Sequence, residues 1–160
     1  MKAAAPASVR FVSLADVPRV VALVRDTLAE FGLTFGEGSP TDDEVRKLPG
    51  SYADRGGAFW VAVDDANGEL LGTCGVFPLE VSTYELRKMY LSPAARGRGL
   101  GQRLLDEAIA WTRGQGGRRV VLDTTHEMKQ AIAFYEKNGF ARDDTQIRGS
   151  RCSRGYARGI

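Results

Sequence analysis

The sequence predicts an α/β protein, a mixed sheet covered by helices, and three observations predict it. Apolar runs of strand length interleave with segments whose apolar residues recur every three or four positions, in the order β-α-α-β-β-β-α-β-α-β. The 160 residues suit one domain able to bury its own core, with no repeat, low-complexity tract or linker to divide it. Apolar residues make up 43% of the chain and charged residues 26%, which sets it among globular proteins rather than disordered ones.

The elements follow in order. Residues 1–8 are small and polar and are expected to fray. VRFV, Val9 to Val12, reads as a short strand. Ser13 with Asp16 three residues later has the spacing of a capping box, with Asp in place of Glu. Val17, Val20, Val21, Val24, Leu28 and Phe31 then repeat at helical spacing, and Gly32 closes the helix. Residues 32–58 are the least regular. FGLTFGEGSP reads as a mobile loop, Thr41 as the cap of a short helix DDEVRKL ended by Pro49 and Gly50, and SYADRGG as a second loop. AFWVAVDD and ELLGTCGVFPL are strands, and the ANG between them signals a hairpin. TYELRKMYL is the next strand. The helix from Leu100 carries Leu104, Leu105, Ala108, Ile109 and Thr112 on one face. RRVVLDT is a strand, and MKQAIAFYEKN is a helix stopped at Gly139. The polar, Arg-rich residues after Phe140 hold one or two strands.

Charge and cysteine usage exclude several functions. Twenty-two basic and 20 acidic residues leave a net charge of +2, without the basic surplus of a dedicated nucleic-acid binder. Cys74 and Cys152 are too few for a disulfide framework and suit a reducing compartment. Cys74, inside LLGTCGVF, reads as a buried, inert thiol. His126 is the one histidine and reads as an exposed loop residue; with no second His and no Cys cluster, no metal site is expected. MKAAAPASVR lacks the apolar core of a secretory signal. No apolar run approaches the ~20 residues of a membrane helix. A cytoplasmic protein without nucleic-acid or membrane partners is expected.

Chemistry concentrates in RGRGLG, Arg96 to Gly101, at the start of a helix. The first N–H groups of a helix lack intrahelical partners and carry the positive end of its dipole, which together favour an anion. Gly97, Gly99 and Gly101 would let a diphosphate approach the backbone, and Arg96, Arg98 and Arg103 add positive charge. A nucleotide P-loop is excluded because no Gly-Lys pair exists, and the G-x-G-x-G spacing departs from the dinucleotide fingerprint. A glycine-rich turn with exposed arginines is the plain alternative. In the strand just before, period 2 puts Glu85, Arg87, Met89 and Leu91 on one face, beside Lys88. Charges in an internal strand need partners or water. Either this face is exposed or a carboxylate points into a cleft.

These residues carry a resemblance to the GCN5-related N-acetyltransferase (GNAT) family. Arg96-Gly97-Arg98-Gly99-Leu100-Gly101 is similar to that family's R/Q-x-x-G-x-G/A acetyl-CoA signature. ELRKMYLSPAARGRGLG, LLDEAIAWTRGQGGRRVVLDT and AIAFYEKNGF resemble the segments around it, so that roughly residues 58–142 match. The resemblance implies the GNAT acyl-CoA N-acyltransferase fold, with its fourth and fifth strands, TYELRKMYL and RRVVLDT, splayed apart. The pantetheine arm of acetyl-CoA would lie between them against Met89, Tyr90 and Leu91. Its diphosphate would meet Arg96, Gly97, Arg98, Gly99, Leu100, Gly101 and Gln102.

The implied reaction is direct attack of a primary amine, from a small molecule or a peptide, on the acetyl thioester, with no metal. The amine must lose a proton, for which Glu85, through water, or Asp123, at the end of the fifth strand, is the candidate base; either carboxylate needs a raised pKa or a water relay near neutral pH. A backbone N–H near Leu91 is the candidate oxyanion donor. Tyr135 matches the family's general acid and cofactor contact, although Met128, Ala131, Ile132 and Tyr135 also share one helical face suited to packing. Many members have Asn seven residues before this Tyr; here Met128 stands there, and a thioether is no amide donor. Glu85 and Tyr135 favour an enzyme over a non-catalytic acyl-CoA sensor on the same fold. The acceptor pocket is expected between Phe31 and Ser51, where Glu37, Asp42, Asp43 and Glu44 suit a cationic amine. Dimers are frequent in the family.

Overall fold

The computed structural model describes residues 6–37 and 39–160. Its centre is one mixed sheet of seven strands in the order β1-β2-β3-β4-β5-β7-β6. The strands are β1 (Ala7–Phe11), β2 (Ala58–Asp64), β3 (Leu70–Glu80), β4 (Thr83–Leu91), β5 (Arg119–Thr124), β6 (Ala141–Arg142) and β7 (Arg154–Gly159). The helices are α1 (Val17–Glu30), α2 (Thr41–Val45), α3 (Gly50–Ala53), α4 (Leu100–Gly114) and α5 (Lys129–Lys137). Neighbouring strands run antiparallel except β4 and β5, which are parallel. Of the residues expected to fray, 1–5 lie outside the described residues, whereas Ala7 and Ser8 pair with Asp64 and Val63. No helix among the described residues is long and apolar enough to cross a membrane.

Helices cover both faces, so the central strands are buried on both sides and read as near-continuous apolar runs. In β2, Ala58, Trp60 and Ala62 point into the core beneath α4 and α5, while Phe59 and Val61 point into the core beneath α1, α2 and α3. The expected face of α4, Leu104, Leu105, Ala108, Ile109 and Thr112, is buried throughout. At the front of α1, Ser13 donates its N–H (2.8 Å) and Oγ (3.0 Å) to Asp16, whose carboxylate also receives Arg10 and Arg19. These bonds, Arg10 first, hold the Asp16 carboxyl well below the usual carboxylate range.

Between α1 and β2 the fold departs from expectation. Thr41 lies in the first turn of α2 rather than capping it, and α2 stops at Val45. Pro49 and Gly50 do not end a helix but begin α3, inside the stretch expected to be a loop. Tyr52 is the reason: it is fully buried and meets Phe59 and Phe77 edge-on, with ring centroids 5.3 and 5.7 Å away. Burial of one large ring outweighs the loop-like composition around it.

The second departure shapes β4. Arg87 pairs with Gly75 and Tyr90 with Thr73, so Lys88 and Met89 together oppose the single residue Cys74. This is a β-bulge, and Lys88 adopts φ +52°, a left-handed conformation that is rare outside glycine. A bulge inverts the alternation beyond it. Glu85, Arg87, Met89 and Leu91 therefore do not share a face. Leu86, Met89 and Leu91 pack beneath α4, and Tyr90 packs beneath α1. Glu85 stands opposite Phe77, and Arg87 lies over the Phe77 ring at 4.2 Å. Thr73 secures the bulge by donating its hydroxyl to the Lys88 carbonyl at 2.7 Å.

Candidate active site

Parallel pairing between β4 and β5 covers only Thr83–Arg119, Tyr84–Val120 and Glu85–Val121. Past Glu85 the two strands part, β4 running on to Leu91 and β5 to Thr124. A cavity of about 830 Å³ opens in the gap, reaching from the front of α4 to a loop at residues 148–152. Its two ends differ in chemistry.

At the α4 end the backbone dominates. Gly97 and Gly99 have φ +77° and +74°, and a Cβ on either would meet no atom within 4 Å, so each borders open space. The first hydrogen bond of the helix runs from the Arg103 N–H to the Gly99 carbonyl at 3.2 Å. The N–H groups of Leu100, Gly101 and Gln102 thus stand at the helix front without an upstream carbonyl. Open space, orphaned amides and a β4 edge that β5 has left fit a phosphate-bearing thioester with an extended, amide-containing arm.

Side-chain charge contributes less than expected at this end. Arg96 lines the cavity but holds Glu30 through two bonds of 2.9 Å and reaches the Leu91 carbonyl at 3.2 Å, bracing α1 against β4. Arg103 points elsewhere, to the Ala7 carbonyl at 2.8 Å. Met89, Tyr90, Leu91, Gly97 and Gly101 also line the cavity. Arg98, Gly99, Leu100 and Gln102 lie outside its lining. Leu100 is in the core, and the Gln102 amide donates to Asn138 at 2.9 Å, joining α4 to α5.

Tyr135 lines the cavity from α5. Burial raises its hydroxyl far above the ordinary value, so it keeps its proton across the neutral range. Met128 precedes α5 and also lines the cavity; its sulfur meets the Thr124 hydroxyl at 3.7 Å. His126 lies outside the lining and is held by the Ser153 hydroxyl. Cys74 is fully buried, and burial pushes its thiol well up.

The other end is built from charged side chains. Glu85 is 4% exposed. Its Oε1 accepts from the Arg87 guanidinium, while the buried Oε2 accepts no hydrogen bond from the described residues and lies 3.5 Å from Arg148 Nη1. Asp123 differs: its Oδ2 accepts the N–H groups of Arg148 (2.7 Å) and Gly149 (2.8 Å) and so fixes the 148–152 loop. Behind the wall, fully buried Asp42 holds Arg151 through two bonds of 2.9 Å, the Gly36 N–H at 2.7 Å, and the ammonium of Lys88. Burial pushes the Asp42 carboxyl up, but Arg151 and Lys88 outweigh it and hold the group below its ordinary value. Cys152, beside this wall, is pushed up to about 12 by burial and then by Asp123, which keeps it a thiol.

The acidic stretch from Glu37 to Glu44 therefore lends no carboxylate to this cavity. Asp42 is spent on Lys88 and Arg151, and Glu44 accepts from Arg87 at 3.1 Å. The cavity lining takes Ser39, Pro40 and Thr41 from that segment and none of its carboxylates.

The family profile described as "Acetyltransferase (GNAT) family" matches residues 22–140. The chain belongs to that family. It is 38% identical over 139 residues to an uncharacterized N-acetyltransferase of Escherichia coli (strain K12), YjgM, covering 84% of this chain and 82% of that protein. A GNAT-family acetyltransferase from Staphylococcus aureus Mu50 superposes with a TM-score of 0.87 at 21% identity, covering 96% of this chain and 99% of that one. A GNAT-superfamily phosphinothricin acetyltransferase from Sinorhizobium meliloti, solved with acetyl-CoA, superposes with a TM-score of 0.78 at 22% identity, covering 96% of this chain and 88% of that one. The GNAT fold and its parted strands are as the sequence resemblance implied. Asp42, Lys88, Arg148 and Arg151 were missed as one wall. Lys88, a charge in an internal strand, was their only signal.

Proposed function

We propose that this GNAT protein is an acetyl-CoA-dependent N-acetyltransferase in which a primary amine attacks directly within a ternary complex. Acetyl-CoA, when bound, supplies an acyl group activated as a thioester. The amides of Leu100, Gly101 and Gln102, with the space beside Gly97 and Gly99, hold its diphosphate. The β4 edge from Met89 to Leu91 offers backbone groups to its arm. We assign a backbone N–H beside Leu91 to the reacting carbonyl oxygen. Tyr135 keeps a proton to give to the departing sulfur.

Glu85 takes the proton from the amine, directly or through one water. The observation that carries this reading is its buried Oε2, without a hydrogen-bond donor among the described residues, in the wall of the cavity at the point where β4 and β5 part. Asp123 is the weaker base, because two loop amides already claim its Oδ2. The free thiols of Cys74 and Cys152 fit a reducing, cytoplasmic setting.

Thiol release from acetyl-CoA against a panel of amines tests the activity. Glu85→Gln and Tyr135→Phe are each expected to lower kcat by about 10²-fold or more, the usual worth of a positioned acid or base. CoA should raise the melting temperature of both variants as it does that of the parent. An unchanged rate removes the role of the residue replaced. CoA binding with no thiol release from any amine would make the protein a binding domain instead.

A further inference from the structure

At the 148–152 end the cavity lining itself is positive, and two of the carboxylates that balance it, Asp42 and Glu44, stand behind it. Arg87, Lys88, Arg148 and Arg151 line the cavity there, against Glu85 and Asp123. Two of these cations, Lys88 and Arg151, share the one carboxylate of Asp42, which stands behind the lining. Two more, Arg87 and Arg148, flank the one carboxylate of Glu85, with Glu44 behind Arg87. The remaining charged residues of the lining, Glu30 and Arg96, Glu127 and Lys129, balance in sign. Lys88 and Arg151 thus outnumber their shared carboxylate by one on the cavity side, while Glu44 and Asp123 bring the cluster as a whole to balance.

Glu85 adds an independent sign of a ligand. Its carboxylate is more than nine-tenths buried, and Oε2, though 3.5 Å from Arg148 Nη1, has no hydrogen-bond donor among the described residues. An ammonium or a neutral amine N–H would supply one. A site that presents one such acceptor oxygen among cations is complementary to a molecule with an amine and a nearby anionic group.

We propose that the acceptor is an amine bearing a carboxylate, of the free amino acid class, with its nitrogen at Glu85 Oε2 and its carboxylate received by Arg148 and the Lys88–Arg151 pair. The proposal rests on the transferase reading above and narrows its substrate. The acetyl group leaves the CoA sulfur for the amine nitrogen; the amine loses one proton to Glu85 and the sulfur gains one from Tyr135, so the products are an N-acetyl amino acid and CoA. Arg148 is a specificity-determining residue in this arrangement. It donates to the Gln146 carbonyl at 2.9 Å and side chain at 3.1 Å, which keep it aimed along the wall.

The test uses the full chain, acetyl-CoA and matched pairs, each a free amino acid and its α-carboxamide, with apolar, acidic, basic and aromatic side chains, plus a simple diamine. The amine of a carboxamide is the weaker base and is more often neutral, so intrinsic reactivity favours the amide. A preference for the acid has to come from the protein. In the best pair the acid is expected to exceed the amide by at least about tenfold in kcat/KM, the scale of one charge-assisted contact. Arg148→Gln is expected to raise KM for the acid and bring the pair to near equality, while the CoA-dependent rise in melting temperature stays. Equal or better use of the amides, or turnover of the diamine alone, overturns the proposal and leaves the transferase standing. Thiol release from no amine at all overturns both. An acid preference that Arg148→Gln leaves intact overturns the assigned carboxylate contact.

Discussion

The two ends of the cavity solve the problem of recognition in opposite ways. At the front of α4 the work falls to main-chain N–H groups, with glycines that keep space clear and two neighbouring arginines tied to Glu30 and Ala7. At the 148–152 end the backbone recedes, and guanidinium, ammonium and carboxylate groups form a wall. A backbone site recognises a group common to many reactions and is built from one short segment. A side-chain wall can be retuned residue by residue without disturbing the first. On the proposed reading, one end serves the shared acyl donor and the other the choice of acceptor.

The sharpest way to break this division is at Gly99. A Cβ there meets nothing within 4 Å, so a substitution costs the fold only the strain of φ +74°, of order 1–2 kcal/mol. Gly99→Glu places a carboxylate where the diphosphate is expected. The variant should fold and should lose the stabilisation by CoA, which at a ligand concentration of 100 Kd amounts to about 2.7 kcal/mol. Thermal unfolding with and without CoA reads this directly. A full CoA-dependent shift in Gly99→Glu would move the phosphate site away from α4.

The same division decides what could be read before the fold was known. The α4 end is legible because its parts are contiguous: RGRGLG, the strand before it and the helix after it lie in one stretch, and local rules for helix starts apply. The hairpin at ANG and the apolar face of α4 are legible for the same reason. The other wall is assembled from far apart. Lys88 meets Asp42 across 46 residues and Arg151 meets Asp42 across 109. An acidic run next to a helix start looks solvated in sequence, and only the folded chain shows Asp42 with no exposure at all. The bulge at Lys88 was also hidden, because strict alternation is the only register a sequence offers, and one extra residue reversed it for Met89 and Leu91. Tyr52 escaped notice because its burial depends on Phe59 and Phe77 rather than on its neighbours in the chain.

The wall should fail in a different manner from the glycine end. Asp42→Asn keeps the shape and the acceptor for the Gly36 N–H but leaves Lys88 and Arg151 without a counter-charge. Breaking a buried pair from one side costs about 3–5 kcal/mol. In a chain of this size that lowers the melting temperature by on the order of 10 °C. The CoA-dependent increment should survive, the reverse of Gly99→Glu. A variant as stable as the parent would mean that the buried cluster contributes nothing to the fold.

The smallest effect separates the two ends by pH. The folded Asp42 carboxyl lies below its ordinary value, because Arg151 and Lys88 outweigh burial. A depressed carboxyl contributes stability that is complete above the unfolded value of about 3.9 and is lost as pH falls through the folded one. The stability gap between the parent and Asp42→Asn should therefore hold down to about pH 5 and narrow below about pH 4. Asp16 is depressed as well, but it is present in both proteins and cancels in the difference. Gly99→Ala removes no titrating group, so its gap from the parent should stay level over the same range. Parallel curves for both variants would show that the Asp42 charge is not what binds α2 to the wall.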